Sequence, residues 1–147
     1  MSNQISLEYL AGYFDGEGCV SFYANSGHPP YLRIGIGSAD LEVLLKFTEY
    51  FGGDVRKEKT PKGNRRQIYY WGCLGTVAQD VLRQLLPFLI AKRPQAELAL
   101  VPAFGPGKIG KRLTDSERAT RVDIATRVKA INQRVTIETC NSPIIPN

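Results

Sequence analysis

Two hydrophobic periods alternate along the chain. Leu7, Leu10, Ala11 and Phe14 recur at three- and four-residue spacing, which predicts an amphipathic helix. Ser6 is a fitting N-cap, and Glu8 lies in the first turn, where the helix dipole favours an acid. Gly16 and Gly18 end that helix. In "CVSFYAN" the period changes to two: Val20, Phe22 and Ala24 alternate with Cys19, Ser21, Tyr23 and Asn25, as in a half-buried strand. "SGHPP" makes a turn. "YLRIGIGS" follows as a second strand, with Leu32, Ile34 and Ile36 on one face and Arg33, Gly35 and Gly37 on the other. "ADLEVLLKFTEYFGG" reads as a helix that stops at Gly52-Gly53. "DVRKEK", the turn "TPKGN" and "RRQIYYWGCL" form a second hairpin. Residues 75–101 hold two further helical stretches, bent or broken near Pro87 and Pro94. After the Gly/Pro/Lys loop "PAFGPGKIGKR", Thr114 and Glu117 form a capping box that opens a helix to about Arg134. The tail "VTIETCNSPIIPN" carries no strong signal.

The order is α-β-β-α-β-β-α, followed by further helix. It predicts an α+β domain in which two hairpins join into one four-stranded antiparallel sheet, with helices on one face. A single domain spans 1–147, with its core at about residues 5–100 and a C-terminal loop and helix at 101–147. The other sheet face stays open and carries Tyr23, Asn25, Arg33 and Arg56, with either the Tyr69/Trp71 or the Ile68/Tyr70 set. Tyr69 and Trp71 are the favoured pair. An open sheet face of basic and aromatic residues suits a DNA groove. The commoner use of such a surface is a solvated polar face.

Charge sharpens this picture. The net charge is +5 and the pI about 9.2, which points to a polyanionic partner. Between Asp54 and Arg66 stand six Lys or Arg and only two acids. Lys62 and Arg65 of that hairpin are candidate phosphate contacts. No apolar run approaches the ~20 residues of a membrane span, and the N-terminus lacks the pattern of a signal peptide. Three cysteines without metal-type spacing fit a reduced protein. The expected location is intracellular, cytoplasmic or organellar, and not secreted.

The first helix poses the chemical question. Asp15 and Glu17, each followed by a glycine, stand at a helix C-terminus, where partial negative charge disfavours acids. Taken alone, "DGEG" reads as a turn. The longer stretch "YLAGYFDGEG", Tyr9 to Gly18, resembles the signature of the LAGLIDADG homing endonucleases. "LLPFLIAKRPQAELAL" is similar to that family's Pro-Phe-Leu…Lys…Gln-Ala segment, and "ADLEVLLKF…FGG" to the helix after its first hairpin. The resemblance runs in order over about residues 7 to 100 and thins beyond.

The resemblance implies a site-specific endonuclease. It would make a double-strand break at a long near-palindromic target in double-stranded DNA and so mobilise its host intron or intein. Only one motif is present, which implies a homodimer whose motif helices pack across a two-fold axis through Leu10, Ala11, Gly12, Phe14 and Asp15. Glu17 matches the family's metal-ligating acid, and the Gly16 carbonyl is a further candidate ligand. Oxygen donors suit Mg²⁺, with Mn²⁺ able to substitute and Ca²⁺ expected to support binding but little cleavage. Lys92 matches the peripheral active-site lysine. Ser38 stands where many members carry a glutamine beside the catalytic water, which makes it a shorter candidate for that role. Arg134 and Thr136 resemble a phosphate-contacting region, with a solvated helix end nearly as good a reading. Lone His28 disfavours histidine-based nuclease sites. The competing function is an RNA maturase or a non-cleaving DNA-binding protein of the same fold. Retention of Glu17 and Lys92 speaks for the nuclease.

Overall fold

The structure is a computed structural model. It describes residues 4–24, 27–59, 63, 65–101 and 113–141, with side chains of the last helix described as far as Gln133. In chain order the elements are α1 (Leu7–Glu17), β1 (Gly18–Tyr23), β2 (Tyr31–Ser38), α2 (Leu41–Phe51), β3 (Asp54–Lys57), β4 (Tyr69–Leu74), α3 (Gly75–Leu85), a 3₁₀ turn (Leu86–Phe88), α4 (Arg93–Ala99) and α5 (Asp115–Asn141). The four strands form one antiparallel sheet in the order β1-β2-β4-β3. The expected α+β layering is what the chain adopts.

The period-two pattern of the strands assigns the two faces. Val20, Leu32, Ile34, Ile36, Trp71 and Cys73 point to the helices and are buried. They pack against Leu10, Ala11 and Phe14 of α1, Leu44 and Phe47 of α2, and Ala78, Val81, Leu82 and Leu85 of α3. Trp71 is 1% exposed. Its ring lies 4.9 Å from that of Phe47, and its Nε1 donates to the Gly52 carbonyl at 2.8 Å. Tyr69 is half-buried against the same core. Tyr69 and Trp71 therefore do not face outward, which corrects the favoured strand parity. The outward residue is Tyr70. An indole needs a buried surface and a partner for its N–H, and the α2–β3 corner supplies both.

That corner depends on a glycine. Gly53 has φ +86°, and a Cβ there would lie 2.8 Å from the Gly72 carbonyl and 2.9 Å from Trp71 Nε1. The first and second hairpins differ in length. β3 and β4 are short, and Arg65–Ile68 is not strand, although Glu58 N–H still bonds the Ile68 carbonyl at 2.9 Å.

Two helix boundaries differ from the sequence reading. Pro94 opens α4 rather than breaking a helix, because proline at the first turn forfeits no intrahelical bond. The last helix continues past Arg134 to Asn141, since neither glycine nor proline interrupts the chain before Pro143. Its capping box is present: Glu117 N–H donates to Thr114 Oγ1 at 3.1 Å, and Thr114 N–H to Glu117 Oε2 at 3.0 Å. Ile124 and Val128 of α5 are buried beside Phe22 of β1 and Leu98 of α4. Asn132 donates to the Val20 carbonyl at 3.1 Å and accepts from Gln95 at 3.1 Å. α5 thereby covers the outer edge of β1, where an unpaired carbonyl would otherwise stand. Among the described residues no helix is long and apolar enough to cross a membrane.

Candidate active site and open sheet face

The site is built around the C-terminus of α1. Ser6 caps the helix start, its Oγ accepting from Tyr9 N–H at 3.1 Å. At the far end the two acids divide their work. The Asp15 carboxylate accepts three backbone bonds, from Ile90 (3.1 Å), Ala91 (3.0 Å) and Lys92 (2.9 Å). These amides form the turn that leads into α4. Partial burial works to raise the Asp15 pKa. The bonds from Lys92, Ala91 and Ile90 and the charge of Lys92 outweigh it, so the carboxyl stays below its ordinary value. In return, Lys92 Nζ donates to the Asp15 carbonyl at 3.1 Å. A cation thus sits on the negative end of α1, where the helix dipole is best met. This reciprocal clasp holds residues 15 and 92 together across 77 positions of sequence.

The other acid is free for different chemistry. Glu17 is exposed, and its carboxylate has no ion pair or hydrogen bond among the described residues. Next to it, the Phe14 carbonyl bonds Gly18 N–H and the Asp15 carbonyl bonds Lys92. Gly16 is exposed, with open space where a side chain would stand. A peptide oxygen and an unpaired carboxylate on neighbouring residues are hard donors that fit Mg²⁺. One protomer offers no more: among the described residues no group of three His, Cys, Asp or Glu could hold a metal ion.

Three expectations need correction. Leu10, Ala11 and Phe14 are each 0% exposed within the protomer. They form the core stripe of α1 and cannot also be a contact surface for a second copy. The outward stripe is Tyr9, Gly12 and Gly16, on the opposite side of the helical turn. Asp15 is likewise occupied inside the protomer, by the turn it clasps. Ser38 does not face the open side of the sheet. It shares the parity of Ile34 and Ile36, so its side chain turns toward the helices. Its Oγ pairs with Tyr13 Oη at 2.8 Å and accepts from Asp40 N–H at 3.0 Å. That second bond satisfies the first amide before α2, whose own Asp40 side chain makes no cap.

Glu17 borders the open face of the sheet, which forms a groove of about 1060 Å³. Its residues stand in rows across the strands. Glu17 precedes Gly18, the partner of Ile36, so it heads the row of Gly37, Tyr70 and Arg56. Next comes Cys19, Gly35, Gly72 and Asp54; then Ser21, Arg33 and Leu74; then Tyr23 and Tyr31, whose rings are 5.4 Å apart. Tyr23, Arg33 and Arg56 are thus on the expected face. The Tyr70 ring lies across Gly37, where a Cβ would meet its Cε1 at 2.8 Å. Arg65 is exposed beyond the strand. Asn25, Lys62 and the side chain of Arg134 lie outside the described residues. Cys73 faces the helices, and burial pushes its thiol up to about 12, consistent with an inert role.

The sequence offered Tyr70 only as the alternative to Tyr69 and Trp71, and Asp54 and Leu74 were not named as face residues. Once Trp71 is recognised as core, the period of two finds all three. The Asp15 clasp had one visible signal, an acid placed against the helix dipole. Nothing in the sequence names the amides that answer it.

A LAGLIDADG-like domain model matches residues 4–86. The chain belongs to the LAGLIDADG family. No curated protein matches it significantly. Among solved structures it is similar to the homing endonuclease I-CvuI in complex with its target, at 23% identity and TM-score 0.65, covering 85% of this chain and 80% of that one. The archaeal intron-encoded homing endonuclease I-Vdi141I complexed with DNA has 18% identity and TM-score 0.65, covering 85% and 82%. The LAGLIDADG meganuclease I-AabMI bound to uncleaved DNA has 19% identity and TM-score 0.60, covering 97% of this chain and 51% of that one. The fold is that of the LAGLIDADG homing endonucleases.

Proposed function

We propose that this protein is a site-specific, divalent-metal-dependent DNA endonuclease. It acts as a homodimer on a long, near-palindromic duplex target, and the double-strand break mobilises a host intron or intein. The observation that carries this reading is the division of labour at the end of α1. Asp15 is bound inside the protomer and brings Lys92 to the helix end, while Glu17 is left unpaired at the rim of the open sheet face. An uncompensated carboxylate at that helix end opposes phosphate unless a cation lies between them.

The homodimer follows from the same geometry. One protomer supplies one such helix end, and two strand cuts need two. The outward stripe of α1, with Tyr9 51% exposed and Gly12 without a side chain, allows two copies of the helix to approach closely. The chain also spans about half of the meganuclease I-AabMI, whose fold it shares. Two-fold symmetry in the protein would be mirrored in the target half-sites.

Glu17 and the Gly16 carbonyl would hold the ion, Mg²⁺ or Mn²⁺, together with DNA phosphate oxygens and water. Once bound, such an ion stabilises charge on the attacking and leaving oxygens of phosphodiester hydrolysis. Lys92, fixed by the Asp15 clasp, would present its ammonium near the developing negative charge of the phosphate. Arg33, Arg56 and Tyr70 would hold the duplex over the sheet, through phosphate and base-edge contacts. I-CvuI was crystallised on DNA with Ca²⁺ and with Mg²⁺, which fits a divalent requirement here.

The test is cleavage of a randomised duplex library in Mg²⁺, with sequencing of the ends. Paired cuts within a near-palindromic consensus are expected. Selective binding to duplex or intron RNA with no cutting in Mg²⁺ or Mn²⁺ would instead favour the binding-protein or maturase reading.

A further inference from the structure

Two side chains on the open face make no sense as phosphate contacts. Asp54 is an acid on a surface otherwise suited to polyanions. It is exposed and has no ion pair or hydrogen bond among the described residues. Leu74 is 52% exposed on the same face. The row that ends in Asp54 is floored by backbone. Gly35 and Gly72 stand at its centre, and a Cβ on either would meet a neighbouring strand carbonyl at 2.9 or 3.0 Å. Asp54 pairs with Gly72, and Leu74 lies two residues further along β4. Both therefore rise beside bare floor, where a duplex can come close.

We infer that Asp54 and Leu74 are sequence-reading residues, Asp54 selecting cytosine and Leu74 selecting thymine. This rests on the DNA-cleaving reading above. In the major groove a carboxylate is repelled by the acceptors of guanine and thymine. Adenine offers an amino donor beside an acceptor nitrogen, whereas cytosine offers the donor alone. The only apolar feature in that groove is the thymine methyl, and Leu74 is the matching surface. Two residues of strand span roughly 6.6–6.8 Å, or about two steps of ~3.4 Å along DNA. The thymine position should lie about two base pairs further from the cut than the cytosine position, since the Leu74 row is the more distant from Glu17.

The experiment is selection of bound duplexes from a pool with randomised half-sites in Ca²⁺, followed by sequencing, for the wild type and for Asp54→Asn, Asp54→Ala and Leu74→Ala. Circular dichroism checks that each variant is folded. The wild type should enrich C, then T about two positions outward, each by about 5- to 150-fold over the disfavoured bases. Asp54→Ala should flatten the first preference. Asp54→Asn should move it to adenine, which an amide can bind through N6 and N7. Leu74→Ala should flatten the second alone. A wild-type motif left unchanged by Asp54→Asn and by Leu74→Ala overturns the inference and leaves the endonuclease reading standing. A pool with no enrichment at all overturns both.

Discussion

Asp15→Asn keeps size and shape and removes one charge, so it isolates what the clasp is worth. In the wild type, Ile90 and Lys92 N–H share Oδ1 at 3.1 and 2.9 Å, and Ala91 N–H takes Oδ2 at 3.0 Å. An asparagine can keep its oxygen toward the first two amides. Its NH₂ then faces the Ala91 N–H, donor against donor. One charge-assisted bond, worth ~1.5–3 kcal/mol, is lost, and two fall to the ~0.5–1.5 kcal/mol of neutral bonds. The site is only partly buried, and water can reach the freed amide, so the net loss should be about 2–4 kcal/mol. The pH dependence has a defined sign. The native pKa lies below the usual value because the three N–H bonds and Lys92 outweigh the opposing effect of burial. The wild-type advantage is therefore full above the unfolded-state pKa of ~3.9 and disappears as pH falls through the lower native value. Urea unfolding of both proteins from pH 7 down to pH 3 measures it. Cleavage should fall about tenfold or more, because losing the Ala91 bond and the carboxylate charge loosens the 90–92 turn that positions Lys92, while DNA affinity stays near normal. A variant within ~0.5 kcal/mol of wild type at pH 7, or a difference that persists unchanged at pH 3, would refute the clasp.

Three further substitutions separate fold, DNA binding and chemistry. Trp71→Phe removes the indole bond to Gly52 and leaves a gap beside Phe47, so it should cost about 1–3 kcal/mol in urea unfolding. DNA affinity per folded molecule should be unchanged. Tyr70→Ala should do the reverse, with stability within ~0.5 kcal/mol and clearly weaker binding in gel shifts. Lys92→Met keeps the stem of the side chain and the backbone bond to Asp15 but removes the ammonium. It should lower the cleavage rate about 10²- to 10³-fold at saturating DNA, with binding retained.

Much of the fold was legible because hydrophobic period is a local property. The first helix and the first hairpin followed from Leu10/Phe14, Val20/Phe22 and Ile34/Ile36, and the second helix from its stop at Gly52-Gly53. The parity of β4 was not legible, because Ile68, Tyr69, Tyr70 and Trp71 are all large and half-apolar. Only the tertiary corner at Gly52–Gly53 decides which of them is buried. The same limit applies to α1. Its core stripe of Leu10, Ala11 and Phe14 and its outward stripe of Tyr9, Gly12 and Gly16 interleave in one short motif. A sequence shows that both exist without showing which one faces a partner. The bond from Ser38 to Tyr13 was hidden for a similar reason, since Tyr13 lies on another element. Glu17 and Lys92 are candidates through the motifs they belong to, whereas the clasp between Asp15 and the 90–92 amides joins segments that share no local pattern.

The central claim is that Glu17 stands unpaired at the helix end in order to hold a metal ion at the DNA backbone. Parallel gel-shift and cleavage titrations of wild type and Glu17→Gln, in Mg²⁺ and in Ca²⁺, test it most directly. Glutamine preserves the shape and removes the charge that a hard cation requires. Glu17→Gln should abolish cleavage with DNA affinity equal to or greater than wild type, and the wild type should bind in Ca²⁺ with little cutting. Near-normal cleavage by Glu17→Gln, or a joint loss of binding and folding, would contradict it and return Glu17 to the role of a turn residue.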